Sequence, residues 1–367
     1  MTSETLGDVN DILEHIGNMK KYQLCTLFLT SLFYCAAAMQ TLVIVFTQAD
    51  MDFRNIWPAL ANMFLMFGRI PGGLLTGQLA DRIGRKKTIT IGLFLLGGFG
   101  LGTAYSVNLT MYIIFRFFSA VPIAAIYNGC ATLITEVVSP SKRAHVVIGL
   151  VYSWGIGICL LSLFAYFIRD WRTLHMAVSL PNFVLCPLAF WLFDESPHWL
   201  YSQGRYKEAQ AVLEKIASRN KMDDRFSVVE HHKERKDTHS NQDGNKTEID
   251  GKLNSSSSTS EDDSKHDPGQ CMQMLKTQKF VVILLICAFG WLACDMGYAG
   301  LAIGSGLLPG NVYINNAIGG GVELIAYSMA LLVIPGGRKK IYILLVAFGG
   351  IALIASAFVK YLLSESQ

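Results

Sequence analysis

Nine stretches of this chain are apolar for about as long as a helix needs to cross a lipid bilayer, and no other feature constrains its fold as strongly. A crossing helix takes roughly 20 apolar residues to span a hydrocarbon core of about 30 Å. The runs are Leu24–Thr47, Ile56–Leu79, Thr88–Tyr105, Met111–Val137, Val146–Ile168, Met176–Phe193, Phe280–Leu301, Val312–Ile334 and Ile341–Leu363. The second and eighth are the weakest, being rich in Gly, Pro and small residues. Such residues are tolerated in a membrane where neighbouring helices satisfy the backbone. Charged residues make up only 16% of the chain, against about 25% in soluble domains. The expectation is an all-α, polytopic helical bundle with the lipid bilayer as its solvent.

Basic residues orient the bundle. Lys20 and Lys21 precede the first run, and Arg82, Arg85, Lys86 and Lys87 follow the second. Lys142 and Arg143 follow the fourth, a highly charged stretch follows the sixth, and Arg338, Lys339 and Lys340 follow the eighth. The odd-numbered connections are poorer. Arg54 lies beside Asp50 and Asp52, Arg169 and Arg172 flank Asp170, and the third and seventh runs are followed by no basic residue. One missed helix would destroy this alternation. Because cytoplasmic connections carry the excess of Lys and Arg, the N-terminus is expected in the cytoplasm and the C-terminus outside. The N-terminal segment is polar and the first run is too long for a signal core, so no cleavable signal is expected. A net charge of only +3 suggests no nucleic-acid partner.

The expected organisation is a cytoplasmic N-terminus over 1–23, a six-helix membrane half over 24–193, a cytoplasmic loop over 194–279 and a partial second half of three helices over 280–367. Within the loop, Tyr201–Asn220 reads as a helix with Ala209, Val212, Leu213 and Ile216 on one face. The stretch 233–269 is dominated by Ser, Asp, Lys and Asn and is expected to be a disordered linker, because it has too little apolar surface to bury. Asn245 and Asn254 head glycosylation sequons on the cytoplasmic side, and Asn108 heads one very close to the membrane outside, so all are expected to stay unmodified. Eight cysteines, all but Cys271 in apolar runs, show no metal-ligand spacing and are expected to be small buried thiols.

The densest motif is the loop holding Gly77, Asp81, Arg82, Gly84, Arg85, Lys86 and Lys87. Gly77 lets helices approach closely, and Gly84 permits a tight turn. Asp81 stands at the membrane edge, where Arg82 or Arg85 neutralises it. It is also placed to meet the positive N-terminal end of another helix. Such a contact, made in one conformation and broken in another, is a latch. The plainer alternative is a basic loop with no moving part. This loop resembles the signature loop of the major facilitator superfamily. Further along come Thr135, Glu136, Pro140, Lys142 and Arg143, then Asp170, Trp171 and Arg172, then Glu195 to Leu200 with Gly204 and Arg205. The N-terminal Asp11 to Gly17 and the later Pro309 to Asn315, Glu323, Gly337 and Arg338 continue the series. In this order they resemble solute carrier family 22, the organic cation, anion and carnitine transporters. His198 stands where that family usually has Arg.

The resemblance implies a major facilitator fold, with about nine of its twelve helices present, and alternating access at a plasma membrane. The substrate would be a small organic ion, bound between two helical halves near the bilayer midplane. It implies no cofactor, no metal and no catalytic residue, and no part of the sequence resembles an ATP-binding loop or a nucleophile with its base. Two departures stand out. Only about ten residues join the first two runs, where the family has a cysteine-containing extracellular domain, and the runs stop at nine. A second reading therefore stays open, that of a transport-incompetent form acting on a full-length homologous transporter.

Matched residue by residue, the resemblance puts Tyr127 and Tyr298 at aromatic pocket positions and Glu323 at a pocket carboxylate. Asp295 matches no family position but is an intramembrane acid, which is costly and so a functional candidate. Asn128 and Trp154 are weaker candidates. Aromatic faces with a carboxylate suit an ammonium group. The competing reading has the tyrosines simply packing and Glu323 paired with Arg116. Arg69 and Arg116 are both expected to face the bundle, which leaves a zwitterionic solute open beside a cationic one.

Overall fold

A computed structural model of the chain describes residues 9–16, 19–50, 57–222, 278–305, 310–333, 343, 347–352 and 354–355. Among them every regular element is helical. The elements are α1 (Val9–Ile16), α2 (Lys21–Leu42), α3 (Ile44–Asp50), α4 (Trp57–Ile83), α5 (Arg85–Ala104) and α6 (Leu109–Val137). After a 3-10 turn at Pro140–Lys142 come α7 (Arg143–Phe167), α8 (Trp171–Leu192), α9 (Pro197–Ser202), α10 (Tyr206–Arg219), α11 (Gln278–Ser305) and α12 (Val312–Val333). Five helical stretches are long and apolar enough to cross a membrane: α2 with α3, α5, α6, α7 with its preceding turn, and α8. Helices α4, α11 and α12, at 27, 28 and 22 residues, match the second, seventh and eighth apolar runs. Of the ninth run, 343, 347–352 and 354–355 are described and helical. The rest of it and the linker expected over 233–269 lie outside the described residues.

Polar caps, not hydropathy, set where several helices begin. Asn108 starts α6 by accepting a hydrogen bond from Met111 N at 2.8 Å. Asp170 starts α8 by accepting from Thr173 N at 2.8 Å, five residues before the apolar run begins. The Thr173 hydroxyl and amide hold the Asp170 carboxyl below the usual carboxylate range. Both caps satisfy amides that a helix start leaves without partners. The first run is one span with a break, because Val43 interrupts it between α2 and α3. The helix expected over 201–220 is also divided. Gly204, at φ +72°, turns the chain between α9 and α10. Ala209, Leu213 and Ile216 of α10 are buried as expected.

The small residues that weaken the second and eighth runs are what packs them. A Cβ on Gly68 of α4 would lie 2.5 Å from Phe117 O of α6, and one on Gly72 would lie 3.0 Å from Val121 Cα. A Cβ on Gly320 of α12 would lie 3.0 Å from Gly155 O of α7. Without a hydrophobic drive between helices in lipid, close backbone approach of this kind supplies the packing energy. Asn316 of α12 donates to Ser162 Oγ of α7 at 2.8 Å, adding a polar tie across that interface. The cysteines are less uniformly buried than expected. Cys35 and Cys130 are buried, but Cys25 and Cys294 are exposed, on helix faces turned away from the core.

Candidate functional site

Residues of α2, α3, α4, α6, α7, α11 and α12 enclose a cavity of about 280 Å³. Its wall is aromatic. Tyr34 and Tyr127 stand 4.5 Å apart between ring centroids, Tyr127 and Trp154 5.4 Å, and Trp154 and Tyr298 6.1 Å. Trp154 Nε1 donates to Tyr298 OH at 2.7 Å, which fixes both rings. Tyr327 OH donates to Glu323 Oε2 at 3.0 Å, and Tyr298 also hydrogen-bonds that carboxylate. Glu323 thus stands behind the wall and reaches the cavity through two phenols. Asp295 of α11 and Arg69 of α4 bring opposite charges to the same cavity.

Tyr127 and Tyr298, which the residue matching puts at pocket positions, line this cavity together with Asp295 and Trp154, and Glu323 stands one layer out. Asn128 does not join them. It is exposed, because one helical step past Tyr127 turns a side chain by about 100°. The Glu323–Arg116 pair is not formed either. Arg116 is fully buried and donates to Gln40 O at 2.7 Å and Thr41 O at 3.0 Å. It serves the C-terminal carbonyls of α2, where a cation meets the negative end of the helix. Tyr34 and Tyr327 were not anticipated. Tyr327 had a readable signal, since it is four residues beyond Glu323 and so on the same helix face.

At the basic end of the bundle a second constellation forms. Arg85 meets Asp81 Oδ1 at 3.1 Å and grips Glu136 through two bonds, both of 3.1 Å. Glu195 Oε1 accepts from the backbone amides of Arg85 at 2.8 Å and Lys86 at 3.2 Å. Trp199 Nε1 donates to Asp81 O at 2.8 Å. Gly84 adopts φ +103°, and a Cβ there would collide with Glu195 Oε2. The expected parts are present but their roles shift. The carboxylate at a helix N-terminus is Glu195 on α5, not Asp81. Arg85, not Arg82, carries the pairing with Asp81, because an i,i+4 partner shares its helix face and an i,i+1 partner does not. Gly77 makes no close approach: a Cβ there meets nothing within 4 Å among the described residues. It sits five residues past Gly72, off the face of α4 that packs on α6.

Residues 36–367 match the family model described as sugar (and other) transporter. The chain belongs to this transporter family. Its family is one of transporters, not of enzymes. The resemblance to solute carrier family 22 is borne out by curated relatives. Solute carrier family 22 member 21 of Mus musculus is 31% identical over 302 residues, covering 81% of this chain and 49% of the relative. Organic cation/carnitine transporter 2 of the same organism is 31% identical, covering 79% of this chain and 48% of the relative. The chain spans about half the length of the curated relatives it matches. The fold is that of the major facilitator superfamily. A proton:xylose symporter structure of that superfamily, XylE bound to 6-bromo-6-deoxy-D-glucose, aligns with TM-score 0.62. That alignment covers 85% of this transporter-family chain and 69% of the symporter, at 17% identity.

Proposed function

We propose that the chain carries small cationic or zwitterionic organic solutes across the plasma membrane by alternating access, with its N-terminus in the cytoplasm. The observation that carries this reading is the cavity between the helices, where four linked aromatic rings stand beside Asp295 and Arg69. Ring faces attract an ammonium group by about 0.5–2 kcal/mol per contact, more when water is excluded. The relatives named for organic cations and carnitine support the substrate class. The Asp81, Arg85, Glu136 and Glu195 constellation supports the latch, since it ties four separate segments at one end of the bundle. Binding and movement are the whole of the proposed activity, with no covalent step.

The test is uptake of labelled carnitine-like, ergothioneine-like and monoamine solutes by cells with the chain at their surface. Saturable uptake is expected for at least one. Trp154→Ala removes the ring that links Tyr127 to Tyr298, and should weaken binding by about 3- to 30-fold. No saturable uptake and no binding would overturn the proposal. Binding without uptake would favour the reading in which the chain acts beside a longer homologous transporter.

A further inference from the structure

Two arginines lie at membrane depth in this bundle, and they are treated differently. Arg116 is fully buried away from the cavity, and its two terminal nitrogens donate to the carbonyls that end α2, while its Nε has no partner among the described residues. Arg69 has no such anchor and faces the cavity. It lies on the cavity wall, with its guanidinium carbon 5.9 Å from the Tyr127 ring centroid. Its Nη2 makes one long bond, 3.4 Å, to Thr41 Oγ1. Its Nε is buried with no hydrogen-bond partner among the described residues. Buried polar groups are nearly always satisfied, and of the two arginines only Arg69 lines the cavity, where a solute can supply the acceptor. Asp295 is not that acceptor. It lines the same cavity from α11, yet no ion pair joins the two among the described residues.

We propose that Arg69 is a specificity-determining residue, holding the anionic end of a zwitterionic solute whose cationic end lies against Asp295 and the aromatic wall. This deepens the proposed function and rests on it. A guanidinium offers a planar fork of donors that matches a carboxylate with two parallel bonds. Tyr127 and Thr41 hold that fork from behind. Asn62, buried on the same helix as Arg69, adds a neutral polar group to that wall. The two charges stand on helices from opposite halves of the chain, α4 and α11. A solute with both an ammonium and a carboxylate therefore bridges the halves, whereas a simple cation touches one of them. Arg69 penalises a simple cation by repulsion and Asp295 penalises a simple anion, so discrimination is built from both signs.

The experiment is equilibrium binding to the purified full chain in lipid nanodiscs with three probes. These are a trimethylammonium carboxylate, its methyl ester and the corresponding trimethylammonium alcohol. The carboxylate is expected to bind at least tenfold more tightly than the ester or the alcohol. Arg69→Gln should collapse that preference to within about twofold, and Arg69→Lys should restore part of it. The affinity ratio within each variant is the readout, so a variant with less folded protein still reports. Ester and alcohol binding as tightly as the carboxylate would overturn the role of Arg69 while leaving an organic-cation pocket in place. A preference that survives Arg69→Gln would do the same. No binding of any probe would overturn the proposed function along with it.

Discussion

Gly84 carries more constraint than any other single position at the basic end of the bundle. Its φ of +103° with ψ of 160° lies in a region that is essentially confined to glycine. A side chain there would also meet the carboxylate that caps α5. Gly84→Ala should therefore cost about 1–3 kcal/mol from the backbone alone. The displaced Glu195 would leave the Arg85 and Lys86 amides without their acceptor. A lowered melting temperature in detergent checks this, and an unchanged one would show that the turn relaxes freely. Gly84 was legible in the sequence because a charged loop between two apolar runs must reverse within a few residues. Glu195 was not legible as the cap. It lies 110 positions from the amide it caps, and no local pattern distinguishes it from Asp81. The same limit applies in the cavity. Tyr127 and Tyr298 were legible through family matching, but Arg69 was legible only as bundle-facing. Its open donor depends on where Thr41, Tyr127 and Asp295 come to rest.

At the scale of elements, hydropathy located each described span but misjudged the ends, because caps and glycines decide those. Asp170 draws α8 outward to Trp171, and Val43 divides the first span in two. The apolar runs that looked weakest make some of the closest helix contacts. At the α7–α12 crossing, a Cβ on Gly155 would lie 2.9 Å from Leu324 Cδ2 and 3.2 Å from Gly320 O. Both helices contribute to the cavity wall, through Val151 and Trp154 on α7 and Tyr327 on α12, so their approach sets its width on that side. Gly155→Leu should push them apart at a cost of about 1–3 kcal/mol, typical of an overpacked interface. It should also weaken solute binding, because Tyr298 and Tyr327 on the α11–α12 side would retreat from Trp154 on α7. A Gly155→Leu chain that binds its solute normally would show that the crossing does not shape the cavity. Gly155→Ala, a smaller intrusion, should fall between the two.

For the whole molecule, the alternation of basic connections implies that one end of the bundle faces the cytoplasm, and among the described residues the fold brings the second, fourth and sixth connections together at one end. Arg85, Glu136, Glu195 and Arg143 belong to connections far apart in sequence, yet Arg85 joins Glu136 and Glu195 directly. Arg143 ties the same end to α1 through Asn10 Oδ1 at 2.7 Å. The opposite end carries the Asn108 and Asp170 caps, where Arg172 donates to Ser106 O at 3.1 Å. This separation allows a direct test of orientation in a chain whose eight cysteines are first replaced by serine. Val107, 80% exposed between α5 and α6, belongs to the end expected outside. Ser202, exposed at the end of α9, belongs to the end expected in the cytoplasm. A membrane-impermeant maleimide should label Val107→Cys on intact cells, and should label Ser202→Cys only after permeabilisation. Neither position packs in the core, so both variants should fold. The reverse pattern would invert the molecule, placing the Arg85, Glu136 and Glu195 cluster outside. Labelling of both on intact cells would break the span count on which the two-ended layout of the bundle depends.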